Sequence, residues 1–139
     1  MQIQWYPGHM AKARRMLEEN LKLIDVVVEL VDARAPLATR NPDFDALFSQ
    51  KSRVILLNKS DLASAEQTKK WIEYYKAQNI NAIAFVSTSS AKRKAAVSLI
   101  EAAAADKVAK MKEKGVIKTV RAMVVGIPNV GKSTFINRI

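Results

Sequence analysis

Val120-Arg121-Ala122-Met123-Val124-Val125-Gly126-Ile127-Pro128-Asn129-Val130-Gly131-Lys132-Ser133-Thr134 begins with six mostly apolar residues and ends in the pattern G-x-x-x-x-G-K-S. The apolar half reads as a buried strand, and Lys132-Ser133-Thr134-Phe135-Ile136-Asn137-Arg138-Ile139 can start a helix. A strand, a glycine loop and a helix in succession place an anion at a helix N-terminus. Gly126 and Gly131 let the backbone wrap closely around a phosphate, so that successive N–H groups point inward. Lys132 would reach the β- and γ-phosphates, and the Ser133 hydroxyl would ligate Mg²⁺. Asn129, Val130, Gly131 and Thr134 complete the candidate phosphate cradle.

Working back from this loop, a second motif precedes it. Asn58-Lys59-Ser60-Asp61 follows the short apolar run Arg53–Leu57 and matches N-K-x-D. Its logic is base recognition. A carboxylate at Asp61 accepts two hydrogen bonds from the N1–H and N2–H₂ edge of guanine, a donor pair that adenine lacks. Sites that would leave a buried polar group unpaired against the wrong ligand discriminate by roughly 10⁴–10⁵. Asn58 would bond the other purine edge and the loop backbone, and the Lys59 stem would cover the ring face. In most guanine-nucleotide domains the phosphate loop comes first. Here the base reader starts at residue 58 and the phosphate loop at residue 126. This inverted order is that of a circularly permuted GTPase domain.

Between and around the motifs, strand-like and helix-like segments alternate. Met10–Leu23 reads as a helix, Val26–Val31 as a strand ending in the turn Asp32–Pro36, and Pro42 can open a short helix through Phe48. Arg53–Leu57 reads as a strand, Ser64–Gln78 as a helix capped by Ser64, and Ala82–Val86 as a strand. Ala95–Lys114 reads as one long helix ended by Gly115. This alternation predicts an α/β fold: a P-loop GTPase-like three-layer arrangement with a parallel sheet covered by helices, permuted and incomplete. One domain is expected over 1–139. It divides into an N-terminal segment and helix (1–24), a base-recognition half (25–106), a connector (107–118) and the phosphate-loop strand with the start of its helix (119–139). The connector would join what are the two termini of an unpermuted domain.

Ser87-Thr88-Ser89-Ser90-Ala91-Lys92 follows the Ala82–Val86 strand. A backbone N–H in a loop at this place helps fix the guanine oxygen. Two registers compete: Ser87-Thr88 lies directly at the strand end, whereas Ser90-Ala91-Lys92 matches the common letters better. Strand geometry favours Ser87 and Thr88. Trp71, Tyr74 and Tyr75 are assigned to helix packing. Arg34 either contacts RNA or caps the strand-end loop.

Together with Ile3-Gln4-Trp5-Tyr6-Pro7-Gly8-His9-Met10-Ala11-Lys12-Ala13, Val31-Asp32-Ala33-Arg34-Ala35-Pro36 and Leu57–Asp61, the stretch Gly126–Thr134 resembles the ribosome biogenesis GTPase A family along essentially the whole chain. The resemblance implies a cytoplasmic, bacterial-type GTPase acting in late assembly of the large ribosomal subunit. It makes Asp32 part of a D-A-R-x-P element, although the apolar run before it also resembles a Mg²⁺-binding strand. His9, the single histidine, becomes a candidate for orienting the attacking water; a structural or RNA-facing role beside Trp5 and Tyr6 is the alternative. Asn129 becomes a candidate for holding K⁺ against the phosphates, or else a loop-stabilising amide. In the resembled family the switch threonine and the D-x-x-G element follow the phosphate loop, and this chain runs only to Ile139. The chain therefore reads as the N-terminal part of a longer GTPase, with its own turnover in doubt. Without a further strand the outer edge of Val120–Val125 is expected to lie open, and the last helix is too short to hold itself.

Composition narrows the partners. With 139 residues, 49% of them hydrophobic, the chain can bury one core. The absence of cysteine excludes disulfides and thiolate metal sites. No apolar run approaches the ~18 residues of a membrane span, and Gln2 and Gln4 interrupt any leader-like stretch, so a soluble intracellular protein is expected. A net charge of +10 points to a polyanion, with ribosomal RNA the natural one. Its clusters are Lys12, Arg14 and Arg15; Lys92, Arg93 and Lys94; and Lys107, Lys110, Lys112, Lys114, Lys118 and Arg121. Lysines on an Ala-rich helix can equally form a solvated face. A basic RNA-binding module that keeps silent nucleotide motifs is the second class of function. A P-loop ATPase is the third, and Asp61 argues against it.

Overall fold

Five apolar segments of similar length, separated by helices and loops, assemble into one parallel sheet. The computed structural model describes residues 2–7, 19, 21–38, 45–46, 48–117 and 119–126. Its strands are β1 (Gln2–Pro7), β2 (Val26–Asp32), β3 (Ser52–Asn58), β4 (Asn81–Ala84) and β5 (Arg121–Gly126). They lie in the order β1-β5-β2-β3-β4, every pair parallel. All seven residues of the central β2 are buried, as a parallel strand covered on both faces requires.

Side chains of a strand alternate between faces. On one face Val26, Val28 and Leu30 join Val54, Leu56, Ala122 and Val124 beneath Ala96, Ile100 and Ala104. On the other, Val27 packs with Met123, Val125, Leu21, Ile24 and Phe48. Val31 belongs there to a neighbouring group with Ile55, Leu57, Tyr75 and Ala82. Between these two groups sits a buried ion pair, Glu29 with Arg53 at 3.2 Å, and Arg53 reaches Asp45 at 3.1 Å.

Three helices are described in full: α1 (Ala65–Lys76), α2 (Ser90–Ala103) and α3 (Ala105–Glu113). Ser64 caps α1 by accepting the Gln67 N–H at 3.4 Å. The helix closes on Asn79, at φ 63°, with Asn79 N–H bonded to the Lys76 carbonyl and Ile80 N–H to that of Tyr75. Trp71, Tyr74 and Tyr75 form an edge-to-face cluster on this helix; Tyr75 is fully buried and Tyr74 exposed.

Several sequence expectations change. The single helix over Ala95–Lys114 starts earlier, at Ser90, because the Ser89 side chain accepts the Lys92 N–H at 3.2 Å. It also breaks at Ala104, whose φ of −100° and ψ of 2° separate α2 from α3. Ala104 is buried in the core beside Ile100, so packing on the sheet directs the chain there, against the high helix propensity of the alanine run. The outer edge of β5 is not open: Gln2–Pro7 pairs along it from Gln2↔Arg121 to Pro7↔Gly126 and satisfies its backbone. Of the expected helix over Met10–Leu23, Glu19 and Leu21 are helical and residues 8–18 lie outside the described residues. Of Pro42–Phe48, Asp45 and Ala46 are helical and Phe48 is buried in a turn; Pro42 lies outside.

Candidate functional site

Because all strands run in parallel, their C-terminal ends share one edge, where ligands of open α/β sheets bind. Asp32 ends β2, Asn58 ends β3, the Phe85–Ser89 loop follows β4, and Gly126 ends β5 at the threshold of the phosphate loop. The N-K-x-D segment and Gly126, the first residue of the phosphate-loop motif, thus lie at one edge of the sheet although 67 positions separate Lys59 from Gly126 in the sequence.

The segment Asn58–Asp61 is fastened from both neighbours. On the β2 side the Ala33 N–H donates to the Asn58 carbonyl at 2.7 Å. On the β4 side the Phe85 carbonyl accepts the Ser60 N–H at 3.1 Å and the Ser60 hydroxyl at 3.0 Å. Asn58 is itself buried, and its Oδ1 accepts the buried Ser87 hydroxyl at 3.1 Å. Arg93, from the first turns of α2, donates to the Ser87 carbonyl at 3.1 Å. Lys59 adopts the left-handed region at φ 59° and ψ 35° and turns the chain into the 3-10 turn Ser60–Leu62. Asp61 lies exposed on that turn.

Asp32 occupies the junction between β2 and this loop. Its Oδ1 accepts the Arg34 N–H at 2.9 Å and Nε at 3.0 Å, and its Oδ2 accepts Arg34 Nη2 at 2.6 Å. Lys59 Nζ lies 3.8 Å from the same Oδ2. Hydrogen bonds from the Arg34 guanidinium hold the Asp32 carboxyl below the usual carboxylate range, overcoming the opposing effect of burial; the Arg34 N–H and the Lys59 charge add to this. With its oxygens committed to two cations, Asp32 is poorly suited to ligate Mg²⁺. Arg34 accordingly caps the strand-end loop, the second of the two roles considered for it.

Asn58, Lys59 and Ser87 therefore come together, with Asp61 on the adjoining turn and Thr88 exposed one residue beyond Ser87. Ser90, Ala91 and Lys92 belong instead to the first turn of α2. His9, Asn129, Val130, Gly131, Lys132, Ser133 and Thr134 lie outside the described residues. Asp61 thus presents an exposed carboxylate on the turn that follows Lys59, near the loop at Ser87. Sequence reading did not anticipate the Asp32–Lys59 pair or the Arg93–Ser87 bond. Two apolar runs ending in Asp32 and Asn58 were the available signal, since both are strand ends on one parallel edge.

Of the basic clusters, Lys92 and Lys94 are exposed, as are Lys110, Lys112 and Lys114 on and just after α3. Lys107, also exposed, lies 3.7 Å from the buried Asp25 carboxylate. Lys12, Arg14, Arg15 and Lys118 lie outside the described residues. Among the described residues no helix is long and apolar enough to cross a membrane.

No protein-family model matches the chain. The ribosome biogenesis GTPase A of Priestia megaterium is 52% identical over 141 residues, covering 100% of this chain and 49% of that protein. The crystal structure of GNP-bound YlqF from T. maritima superposes with a TM-score of 0.65 at 38% identity, covering 91% of this chain and 47% of the other. The GDP-bound structure of TM YlqF gives 0.63 at 37% identity, covering 89% and 47%. The chain spans about half the length of the curated relatives it matches. With the permuted order of its motifs, a parallel sheet whose strands bring Asn58 and Gly126 to one edge, and identity along its whole length, the chain belongs to the ribosome biogenesis GTPase A family.

Proposed function

We propose that this chain forms the guanine-reading part of a GTPase that acts in assembly of the large ribosomal subunit. The observation that carries the reading is the clamped Asn58–Asp61 loop, bonded to the end of β2 through Ala33 and to the β4 loop through Ser60 and Ser87, on the same edge of the sheet as the end of β5. In this reading Asp61 accepts the guanine N1–H and N2–H₂, Asn58 bonds the opposite purine edge, and the Lys59 stem lies on the ring. Ser87 and Thr88 present backbone N–H to the guanine oxygen. Asn129, Val130, Gly131 and Thr134 line the phosphates, and Lys132 neutralises charge on the transferred phosphoryl group. Mg²⁺, held through Ser133, would supply further neutralisation of the phosphates, and K⁺ held by Asn129 would add to it. His9 orients the attacking water. The 107–118 connector joins the base-reading half, 25–106, to the phosphate-loop segment, 119–139.

The names of the relatives support ribosome assembly as the setting, and the net charge of +10 supports ribosomal RNA on the precursor particle as the surface bound. In the cytoplasm GTP would favour the particle-bound state, and hydrolysis would release the factor. Exposed Lys110, Lys112 and Lys114 favour a second reading, a basic RNA-binding module indifferent to nucleotide. Salt-sensitive rRNA binding unchanged by GTP would select it.

Asp61→Asn tests the base assignment. An amide at this position still accepts the N1–H but donates where guanine also donates, whereas xanthine offers an oxygen there. Guanosine diphosphate affinity should fall by about 100-fold or more and xanthosine diphosphate affinity should rise. Equal loss for both nucleotides would remove Asp61 from base recognition.

A further inference from the structure

We propose that Asp32 is a positioning residue for base recognition, acting through Lys59. The inference rests on the reading of Asn58–Asp61 as the guanine site and assigns a role in it to the D-A-R-x-P element.

Asp32 and Asn58 are register partners at the ends of adjacent parallel strands, so the turn after β2 and the recognition loop leave the sheet side by side. The Ala33 N–H bond to the Asn58 carbonyl, at 2.7 Å, ties the two backbones together. Arg34 then grips the Asp32 carboxylate through three donors, two on Oδ1 and one on Oδ2, which leaves it little freedom to rotate. The carboxylate so fixed lies 3.8 Å from Lys59 Nζ. That separation is a charge pairing, longer than a good hydrogen bond, and it restrains the far end of a stem that would otherwise sample many rotamers. Lys59 is partly exposed and Asp32 almost fully buried, so the rigid partner directs the flexible one.

The consequence for recognition follows from what the stem does. A lysine lying along a purine face contributes through contact of its methylene groups, and contact requires the stem to be held flat before the base arrives. Asp32 holds it by the ammonium, from the side of the sheet. Arg34 in turn keeps the carboxylate ionised and oriented.

A double-mutant cycle on the 139-residue chain separates this role from plain structural support. Asp32→Asn keeps an oxygen for the Arg34 donors and removes the charge facing Lys59. Lys59→Met keeps an apolar stem and removes the ammonium. Two readouts apply: affinity for a fluorescent guanosine diphosphate analogue, and amide hydrogen exchange at Ser60 and Leu62 in the nucleotide-free chain. Asp32→Asn alone should weaken binding about fivefold and speed exchange at Ser60 and Leu62; in the Lys59→Met background it should add no further change. Equal effects of Asp32→Asn in both backgrounds would overturn the proposal and leave Asp32 a structural residue. If the parent chain binds no guanine nucleotide, the functional reading fails, and exchange still decides the positioning role: faster exchange only where Lys59 is present upholds it, and unchanged exchange ends it.

Discussion

Lys59 holds a backbone conformation, φ 59° and ψ 35°, that costs a residue with a Cβ about 1–2 kcal/mol. The surrounding bonds impose it: Ser60 is pinned to Phe85, and Leu62 N–H closes back on the Lys59 carbonyl at 2.9 Å. Such strain persists where the surroundings over-determine it, often at ligand sites. Lys59→Gly therefore separates fold from function. Stability should stay level or rise by up to about 1 kcal/mol in urea unfolding, because relief of strain exceeds the added chain entropy. Guanine nucleotide affinity should fall, because the stem is gone. A parallel loss of both would mean that the lysine side chain supports the fold as a whole, beyond its local restraint on the loop. At this scale the sequence was partly legible. N-K-x-D named Asn58, Lys59 and Asp61, since their chemistry is carried by residue type and spacing. The neighbours that hold them, Asp32, Ser87 and Arg93, meet them only through the parallel register and were less visible.

Among the helices, local signals placed some boundaries and missed others. Ser64 before α1 and Gly115 after α3 read correctly because caps are decided by short-range hydrogen bonds and backbone freedom. The start of α2 did not, because Ser87-Thr88-Ser89-Ser90 offers four hydroxyls that could cap. The choice falls on Ser89 once Ser87 is committed to Asn58, a contact 29 positions distant. The break at Ala104 has no local signal, since alanine favours continued helix. The strand β1 was missed because pairing of distant parallel segments leaves little local trace beyond the β-prone Ile3, Trp5 and Tyr6. Two substitutions test these element boundaries. Ser89→Ala should cost about 1 kcal/mol by removing the cap of α2. Gly115→Ala should cost about 1 kcal/mol through its φ of 78° alone, since an added Cβ meets nothing within 4 Å. Denaturant unfolding reads both; a cost near zero at Ser89 would place the effective cap elsewhere.

Over the whole molecule, alternation of strand and helix was enough to predict the parallel sheet, and the reversed order of the motifs was enough to predict permutation. Neither indicated that Glu29, at the centre of β2, would be buried between two apolar groups. Arg53 answers it from β3 at 3.2 Å, and the pair joins the cores on either side. Arg53→Met removes the guanidinium that answers the buried Glu29 carboxyl, and stability should fall by about 3 kcal/mol. Adding Glu29→Gln should recover part of the loss; no recovery would show that Arg53 acts by packing. The central claim is that the permuted chain assembles a guanine-specific site at the shared strand ends. Titration of this chain with a fluorescent guanosine diphosphate analogue and Mg²⁺, chased with GDP, GTP and ATP, tests it most directly. Displacement by GDP and GTP but not by ATP is the predicted result. Displacement by ATP as readily as by GTP, or no binding by a folded sample, would contradict it.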